Sequence, residues 1–347
     1  MALLFLDSFD HYLGADPPEM ATKWDTISFG TGLDVDPSAA KDGPNGLVHQ
    51  HLASYGKNCF GVSGAVVGFH NKFDQLAGVA GLHLLLQFRE GATAHVSIMF
   101  DLATSTFAAY RGTTTLLAQG VVAVADRTEW HHLEVKCIVA DAGGEVTMNI
   151  DGVEHFTFTG DTRNGATGVL DNVLMLSSSQ AVGDKFVDNF YLLSTDGGVN
   201  NDFLGPTRVL ARHPDANGNY SDLTNTAATS VNNYTYVDEV DPDGDASYVE
   251  SGTPGDKDSY GFQALALDVG ESVLGLQLVQ YSRKTDTDPI SSRTFSRIGG
   301  ADYPEADHTL AEAYAYFTDP TDVSPATAVA WTEAEVDAAE FGLEVRP

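Results

Sequence analysis

Apolar and polar residues alternate in short runs along this chain, and turns rich in Gly and Asp separate the runs. In Trp130–Val139, the side chains of Leu133, Val135 and Cys137 fall on one face of an extended chain, as in a half-buried β-strand. Asp151-Gly152 separates two further runs and predicts a tight hairpin. Other strands are predicted at Leu3–Phe9, Gly81–Arg89, Ala94–Asp101, Thr106–Arg111, Thr113–Val124, Glu145–Ile150, Val153–Phe158 and Phe186–Ser194. Regularly spaced short strands predict a β-sandwich.

A polar stretch rich in Gly and Asn, Thr195–Asp202, has no hydrophobic periodicity. Such a stretch is typical of a linker between domains. We therefore predict two domains, a β-sandwich at 1–198 and a second β-sandwich at 199–347.

The second region again has the pattern of short strands. They are predicted at Thr207–Arg212, Tyr234–Val237, Asp258–Leu267, Ser272–Arg283, Arg293–Ile298, Ala311–Asp319 and Leu343–Arg346. One short helix is predicted at Thr332–Phe341, with Thr332 as its N-cap, Glu335 in the capping-box position and Gly342 at its end. The predicted fold class is all-β, with two jelly-roll-like β-sandwich domains and one short helix near the C-terminus.

The charge excludes some classes of partner. The chain has 18 Lys and Arg residues against 49 Asp and Glu residues, a net charge of −31. Such a surface repels phosphate backbones and anionic lipids, so we expect no nucleic-acid partner and no membrane insertion. The start of the sequence has no basic segment and becomes acidic at Asp7, so we expect no signal peptide and synthesis in a cytoplasm. With only Cys59 and Cys137, we expect a buried free thiol at Cys137; a bridge between the two stays open.

The run from Trp130 to Lys136, followed by Val146–Val153 with its Asp-Gly turn, resembles the laminin-G type of concanavalin-like jelly-roll domain. The opening Asp7-Ser8-Phe9-Asp10 and the closing run Phe186–Leu193 are similar to the first and last strands of that family. The resemblance covers most of residues 1–195 and implies the fold. It leaves the ligand open, because the family binds glycans, proteins or no known ligand.

The second region resembles a domain of tailed-phage virion proteins. The similar motifs are Asn201–Gly205, Asp241–Val249 and Trp331–Val336. This resemblance implies a structural protein on the virion surface, in the tail, a fibre or the capsid decoration. Its implied partners are other virion proteins, copies of itself in a homo-oligomer and a host-surface glycan.

No catalytic constellation is visible in the sequence. Jelly-roll glycanases carry the pattern E-x-D-x-x-E on one strand; the acids nearest the central strands do not form it, namely Glu129, Glu134, Glu145 and Glu154. There is also no nucleophile-elbow signature for a serine hydrolase. Adjacent residues of a strand point to opposite faces, so His131 and His132 cannot share one metal ion. We expect no catalytic residue and a protein that is not an enzyme.

Calcium is the one cofactor that the sequence suggests. Asp241, Asp243 and Asp245 offer three carboxylates at alternate positions, and oxygen-rich loops suit Ca²⁺. The loop is not an EF-hand, since its twelfth position is Gly252, and Asx residues beside Gly are also ordinary turn formers. Asp188 with Asn189 is a second candidate, because related folds place calcium near the last strand.

Glycan binding would use exposed aromatic rings beside polar groups, because a sugar ring stacks on an aromatic face. The candidates by residue type are Tyr110, Trp130, Tyr234, Tyr236 and Tyr303. Our preferred hypothesis is a virion structural protein that contributes to host-surface adhesion or particle assembly. The alternatives are a cement protein without glycan binding and a glycan depolymerase on a jelly-roll scaffold.

Overall fold

The computed structural model describes residues 2–30, 32–50, 52–73, 81–165, 167–176 and 184–347. The chain divides into two compact units, Met1–Leu210 and Ala211–Pro347. This division lies beyond the boundary expected at 198/199, so residues 199–210 belong to the first unit. No helix in the described ranges is both long and apolar enough to cross a membrane.

The first unit consists of antiparallel strands with one helical turn, α1 (Met20–Lys23), and a 3₁₀ turn at Pro37–Ala39. Its strands are β1 Leu3–Asp7, β2 Gly14–Ala15, β3 Thr26–Ser28, β4 Leu33–Asp36, β5 Gly46–His49, β6 Ser54–Val62, β7 Gly64–Phe73, β8 Leu82–Glu90, β9 Thr93–Asp101, β10 Thr106–Arg111, β11 Thr115–Gln119, β12 His131–Ile138, β13 Gly144–Ile150, β14 Val153–Gly160, β15 Leu170–Leu176 and β16 Lys185–Ser194. They form two sheets. One is nine-stranded, in the order β14-β13-β12-β7-β16-β5-β4-β2 with β1 beside β16, and the other is seven-stranded, in the order β11-β10-β9-β8-β15-β6-β3.

The core of the first unit lies between these sheets. On β12, Leu133 and Val135 pair with Phe69 and Val67 of β7 and are buried, as the alternation predicts. The largest buried ring belongs to Trp24, which contacts Phe5, Phe190 and Tyr55 edge-on at 4.8–4.9 Å between ring centroids. Such edge-to-face contacts add to the free energy of apolar burial. The all-β β-sandwich architecture is therefore confirmed.

The second unit contains a six-stranded sheet, in the order β17-β20-β26-β22-β23 with β24 beside β22, and two two-stranded ribbons, β18-β19 and β21-β25. Its strands are β17 Pro214–Ser221, β18 Thr224–Asn225, β19 Val249–Glu250, β20 Lys257–Phe262, β21 Leu276–Ser282, β22 Ser291–Ile298, β23 Ala301–Pro304, β24 His308–Thr309, β25 Ala315–Thr321 and β26 Glu340–Arg346. Trp331, Ala339 and Phe341 form a buried cluster, against which Phe262, Val273, Leu276, Leu278, Ile298 and Val336 pack.

The helix near the C-terminus, α2, spans Glu333–Ala338, and the Thr332 side chain accepts a hydrogen bond from the backbone N–H of Glu335. The N-cap prediction is thus confirmed. The capping box is wrong in one part, because the Glu335 carboxylate accepts a hydrogen bond from Ser324 instead. Gly342 lies inside β26 rather than at the helix end. A Cβ there would lie 2.0 Å from the backbone oxygen of Asp258, so the glycine allows close strand pairing.

Two predicted strands of the second region are wrong. Residues 207–212 form no strand, and Asn233–Tyr236 is a 3₁₀ turn. Both predictions rested on β-branched and aromatic residue types rather than on a sustained alternation. Cys59 and Cys137 are both buried and free, as expected for Cys137.

Candidate functional site

The outward face of the seven-stranded sheet carries a grid of polar side chains. Residues paired across neighbouring strands share a face. One row runs from Tyr110 through Ser97, Gln87 and Leu174 to Gly56. The opposite face of the same strands packs in the apolar core, so the polar side chains are confined to the outward face.

A second row, parallel to the first, joins Arg89 to Asn172 and Asn58. The amide nitrogen Nδ2 of Asn172 donates a hydrogen bond to Oδ1 of Asn58 at 3.2 Å. In the first row, Nε2 of Gln87 donates to Oγ of Ser97 at 3.1 Å. These contacts fix the amide groups while leaving further donors and acceptors on each of them. Ser97 itself is fully buried, so it supports Gln87 from below. We call the surface formed by Asn58, Gln87, Arg89, Tyr110 and Asn172 the polar groove.

Gly56 forms part of the groove floor. A Cβ at this position would lie 2.9 Å from Cδ1 of Leu174 and 3.1 Å from both terminal side-chain atoms of Asn172. The glycine therefore leaves room for these side chains between neighbouring strands. Leu174 and Met99 are buried although they face outward, which gives the groove an apolar floor between its polar groups.

The groove has one phenol and one guanidinium. Tyr110 is half-buried at the end of its row. Its burial raises its pKa above the usual value, and the nearby Asp101 carboxylate adds a smaller effect in the same direction. The phenol is therefore protonated at neutral pH. No carboxylate pairs with Arg89 among the described residues, and its buried Nε has no hydrogen-bond partner. A buried donor without a partner is costly unless a ligand or water satisfies it.

One end of the groove opens into a depression of about 440 Å³. It lies beside the ends of β8, β9, β10 and β11. Its lining includes Gln87, Ala94, Arg111, Thr115, Arg163 and Asn164. Concave sites with a few placed polar groups are typical of small-ligand and glycan recognition.

The outward face of the nine-stranded sheet is closed by the chain itself. Residues 199–210, which we call the strap, lie on this face. Phe203 and Leu204 pack on a cluster of Leu3, Val66, Tyr191 and Leu193. The buried Glu134 carboxylate accepts hydrogen bonds from the Tyr191 hydroxyl and from the backbone N–H groups of Leu204 and Gly205. Glu134 therefore serves the fold.

The two adjacent histidines lie on opposite faces of β12, as expected. His131 contacts Asp151 at 2.7 Å, and its pKa is raised by hydrogen bonds to Asp151 and Asp126, against an opposing effect of burial. His132 is buried beside His70, with ring centroids 4.9 Å apart. Burial lowers the pKa of His132 to about 3 and that of His70 to about 4, so both are neutral at physiological pH.

The calcium candidates of the second region are held by other contacts. Asp243 accepts hydrogen bonds from the N–H and Oγ of Ser247, and Asp245 pairs with Arg283 at 2.8 Å and with the Tyr314 hydroxyl. Asp241 has its pKa raised by burial. Within the described part of the chain, no group of three or more His, Cys, Asp or Glu residues is arranged to hold a metal ion. Calcium at Asp241, Asp243 and Asp245 stays a prediction.

The second calcium candidate is deeply buried. The Asp188 carboxylate accepts hydrogen bonds from the N–H groups of Lys41, Asp42 and Asn189. The Asn189 side chain donates to Asp42 and accepts from the N–H of Val209. Burial raises the pKa of Asp188 to about 7 despite these hydrogen bonds. Both side chains thus organise the loops around β16, and calcium binding there stays a prediction.

Sequence reasoning missed most of the groove. Of the aromatic candidates, the structure places Tyr110 in it, while Trp130 lies beneath the Lys72 ammonium, 5.3 Å from the ring centroid. Gln87, Ser97 and Asn172 were not singled out. The available signal was a polar residue at every second position of otherwise apolar strands, as at Gln87 and Arg89 of β8.

The first unit is a β-sandwich of the jelly-roll type. No family model matches the sequence, and no curated protein matches it. Among solved structures, the chain is similar to an endo-β-1,4-glucuronan lyase from the fungus Trichoderma reesei, with 11% identity over 50% of this chain and 91% of the lyase, at a TM-score of 0.37. It is also similar to an alginate lyase, with 14% identity over 54% of this chain and 95% of the lyase, at a TM-score of 0.42. A third structure is domain 4 of an arabinanase from Geobacillus stearothermophilus in complex with arabinotriose, with 13% identity over 47% and 75% of the two chains, at a TM-score of 0.34.

These comparisons correct one expectation. The prediction that the chain is not an enzyme is wrong against these neighbours, most of which are named as glycan-degrading enzymes. The expectation that no residue is catalytic stays a prediction. The jelly-roll architecture expected from the laminin-G resemblance is confirmed. The resemblance of the second region to tailed-phage virion proteins stays a prediction.

Proposed function

We propose that the first unit binds a polysaccharide chain along the polar groove. The observation that carries this proposal is the grid of amide, phenol and guanidinium groups on the outward face of the seven-stranded sheet. Sugars present many hydroxyl groups that both donate and accept hydrogen bonds. The side chains of Gln87, Asn172 and Asn58 also donate and accept hydrogen bonds. They can therefore bind the hydroxyl groups of a sugar chain that lies along the groove.

The groove also offers apolar contact. The Tyr110 ring lies at one end of the first row, and Leu174 and Met99 form the floor. The C–H faces of sugar rings pack on such surfaces while their hydroxyl groups reach the polar side chains. Fixed polar groups above an apolar floor are therefore suited to an extended glycan rather than to a compact hydrophobic ligand.

The biological setting of this binding is a virion surface. The motifs Asn201–Gly205, Asp241–Val249 and Trp331–Val336, which resemble tailed-phage structural proteins, support a place in the tail, a fibre or the capsid decoration. On a particle with many copies, weak individual sites give strong attachment to host-surface glycan. A role in particle assembly, as cement between virion proteins, is the alternative setting.

Cleavage of the bound glycan is a second candidate activity, and Tyr110 is the observation that favours it. Because burial and Asp101 raise its pKa, this phenol keeps its proton at neutral pH and can donate it to the departing glycosidic oxygen as the C–O bond breaks. In this hydrolysis a water molecule bonds to the anomeric carbon and gives one of its protons back to the phenolate. Proton donation of this kind lowers the barrier for bond cleavage. Under this proposal Tyr110 acts as the general acid of a depolymerase.

The test of binding uses the full chain and a panel of purified polysaccharides, with affinity measured by calorimetry. Gln87→Ala combined with Asn172→Ala should weaken binding about tenfold or more, since several hydrogen bonds are lost. Thr235→Ala, an exposed substitution in the second unit, is the matched control. Equal affinity for the double variant and the control would overturn the groove as the binding site.

The test of cleavage measures new reducing ends after incubation with the same polysaccharides. Tyr110→Phe keeps the ring and removes the acidic proton, so cleavage should fall by about a hundredfold or more while binding stays within a few-fold. The absence of new chain ends with every polysaccharide that binds would overturn the depolymerase activity and leave the binding proposal standing.

A further inference from the structure

Within the described ranges, Arg89 differs from the other arginines in having no partner. Arg111 pairs with Asp161 and Arg163 with Asp141, whereas the described residues provide neither a carboxylate nor a hydrogen-bond acceptor for Arg89. In a chain with 49 acidic residues, an unpaired guanidinium with a buried Nε is unusual. The side chain is half-buried in the polar groove, where an incoming ligand would meet it.

Two more arginines line the depression beside this end of the groove. Arg89 pairs with Ala94 of β9, and Ala94 lines the depression together with Arg111 and Arg163. Each of these two arginines has one acidic partner and retains further N–H donors, because a guanidinium has five. Arg89 itself does not line the depression, and Arg111, which pairs with the buried Val96 of β9, lies on the core-facing side of its strand. Arg89 is therefore the guanidinium that shares a face with the row of sugar-binding side chains.

We propose that the polar groove selects polysaccharides that carry anionic groups on their sugar rings, with Arg89 as the residue that receives a carboxylate or sulfate. This inference rests on the proposed binding function and specifies its ligand class. A guanidinium binds a planar carboxylate through two parallel N–H donors. The hydrogen bonds of Gln87, Asn172 and Asn58 then hold the neighbouring hydroxyl groups of the same sugar chain.

The net charge of −31 does not exclude such a ligand. At physiological ionic strength, charges beyond about 8 Å are largely screened, so a bound sugar responds mainly to the charges next to it, and Arg89 has no acidic partner among the described residues. At much lower salt, the acidic surface repels a polyanion over a longer range. Binding is therefore best measured at about 0.15 M salt.

The experiment compares probes that differ only in charge. A polyuronate and its methyl-esterified form share one backbone, and esterification removes the anionic charge. A sulfated polysaccharide and a neutral glucan complete the panel. The full-length protein should bind the polyuronate or the sulfated chain at least about tenfold more tightly than the esterified and neutral chains, as expected for one charge-assisted pair. Preference for one anionic probe over the other identifies which group Arg89 receives.

Arg89→Gln tests the assignment, and Arg127→Gln is its matched control. Arg127 belongs to the same unit, and its contact is with the Ser105 hydroxyl, away from the groove. Arg89→Gln should abolish the preference for anionic chains and leave affinity for neutral chains within about twofold, whereas Arg127→Gln should preserve the preference. Circular dichroism and thermal unfolding establish that both variants are folded.

Two results would overturn the inference, and they differ in their meaning for the groove. If the neutral and anionic chains bind equally, and Arg89→Gln changes neither, anion selection is wrong and the groove proposal stands. If no polysaccharide binds at any salt concentration, both proposals fail together.

Discussion

The Glu134 carboxylate accepts a hydrogen bond of 2.7 Å from the backbone N–H of Leu204, a residue that precedes the second unit. The N–H of Gly205 and the Tyr191 hydroxyl donate to the same oxygen. Glu134 is fully buried, so these three donors replace hydrogen bonds that the oxygen would otherwise make to water. The strap is thereby a structural part of the first unit and not a free linker.

Replacement of Glu134 by Ala should destabilise the first unit by about 3–5 kcal/mol, because three buried donors lose their acceptor together. Urea unfolding, followed by tryptophan fluorescence, measures the change. Glu134→Gln retains the accepting oxygen and should cost less. Glu145→Ala is the control, since Glu145 is a partly exposed neighbour that pairs with Lys136. Equal losses for Glu134→Ala and Glu145→Ala would contradict the role of Glu134.

Gly68 provides a second test of this face. The Tyr191 ring lies directly across it, so that a Cβ at residue 68 would be 2.0 Å from Cζ of the ring. Gly68→Ala should therefore displace the ring and its hydrogen bond to Glu134, and destabilise the first unit by about 3 kcal/mol. Gly198→Ala, where no atom lies within 4 Å of the added Cβ, should be neutral within about 0.5 kcal/mol. Thermal unfolding of both variants measures the two losses of stability. A loss for Gly68→Ala alone supports displacement of the Tyr191 ring, whereas equal losses would indicate a general effect of removing glycine.

The strap also shows what the sequence can and cannot predict. The alternation in β12 predicted the inward face correctly, because burial between two sheets acts on every second residue. The alternation gave no information on the burial of Glu134. Whether the outward face of a strand meets solvent or is covered depends on segments far away in the chain, here the strap. The polar stretch Thr195–Asp202 looked like a linker for the same reason. The hydrogen bonds that hold the strap run from Leu204 and Gly205 to Glu134 of β12 and from Val209 to Asn189 of β16, and they join residues far apart in the chain.

The groove was hidden from the sequence in a similar way. A polar residue on one strand, such as Gln87, is typical of any solvated sheet face. Its significance arises only when the register places it beside Ser97 and in line with Tyr110. Strand register depends on turns and pairing partners that a single sequence does not define. The missing partner of Arg89 is likewise visible only in three dimensions.

Asp188 makes stability depend on pH in an unusual direction. Burial raises its pKa from 3.8 to about 7, so between these values the folded protein binds a proton that the unfolded chain has released. The contribution of this group to the free energy of unfolding is complete below about pH 4 and falls as pH rises to about 7, by about 4 kcal/mol at most. Urea unfolding between pH 4.5 and about 7.5 should show this decline in the native protein relative to Asp188→Asn.

The comparison with Asp188→Asn removes the effect of all other titrating groups, which the two proteins share. A constant difference in unfolding free energy across this pH range would show that Asp188 does not titrate there. The same series with Ca²⁺ and with EDTA tests the calcium prediction. A cation bound by Asp188 would keep the carboxylate charged and remove the decline, whereas identical curves would exclude Ca²⁺ at Asp188 and Asn189.

The N-cap of α2 gives a prediction for the second unit. The Thr332 hydroxyl accepts a hydrogen bond of 3.2 Å from the N–H of Glu335, and the helix holds Trp331 and Val336 against the buried cluster around Phe341. Thr332→Ala should destabilise the second unit by about 1 kcal/mol, whereas Thr332→Ser, which keeps the accepting oxygen, should cost only a few tenths. Because the helix has six residues and cannot persist without packing, the loss should appear in the unfolding of the whole unit rather than as fraying alone. Amide hydrogen exchange distinguishes these outcomes: faster exchange confined to α2, with β26 unchanged, would show that the cap stabilises the helix without supporting the sheet.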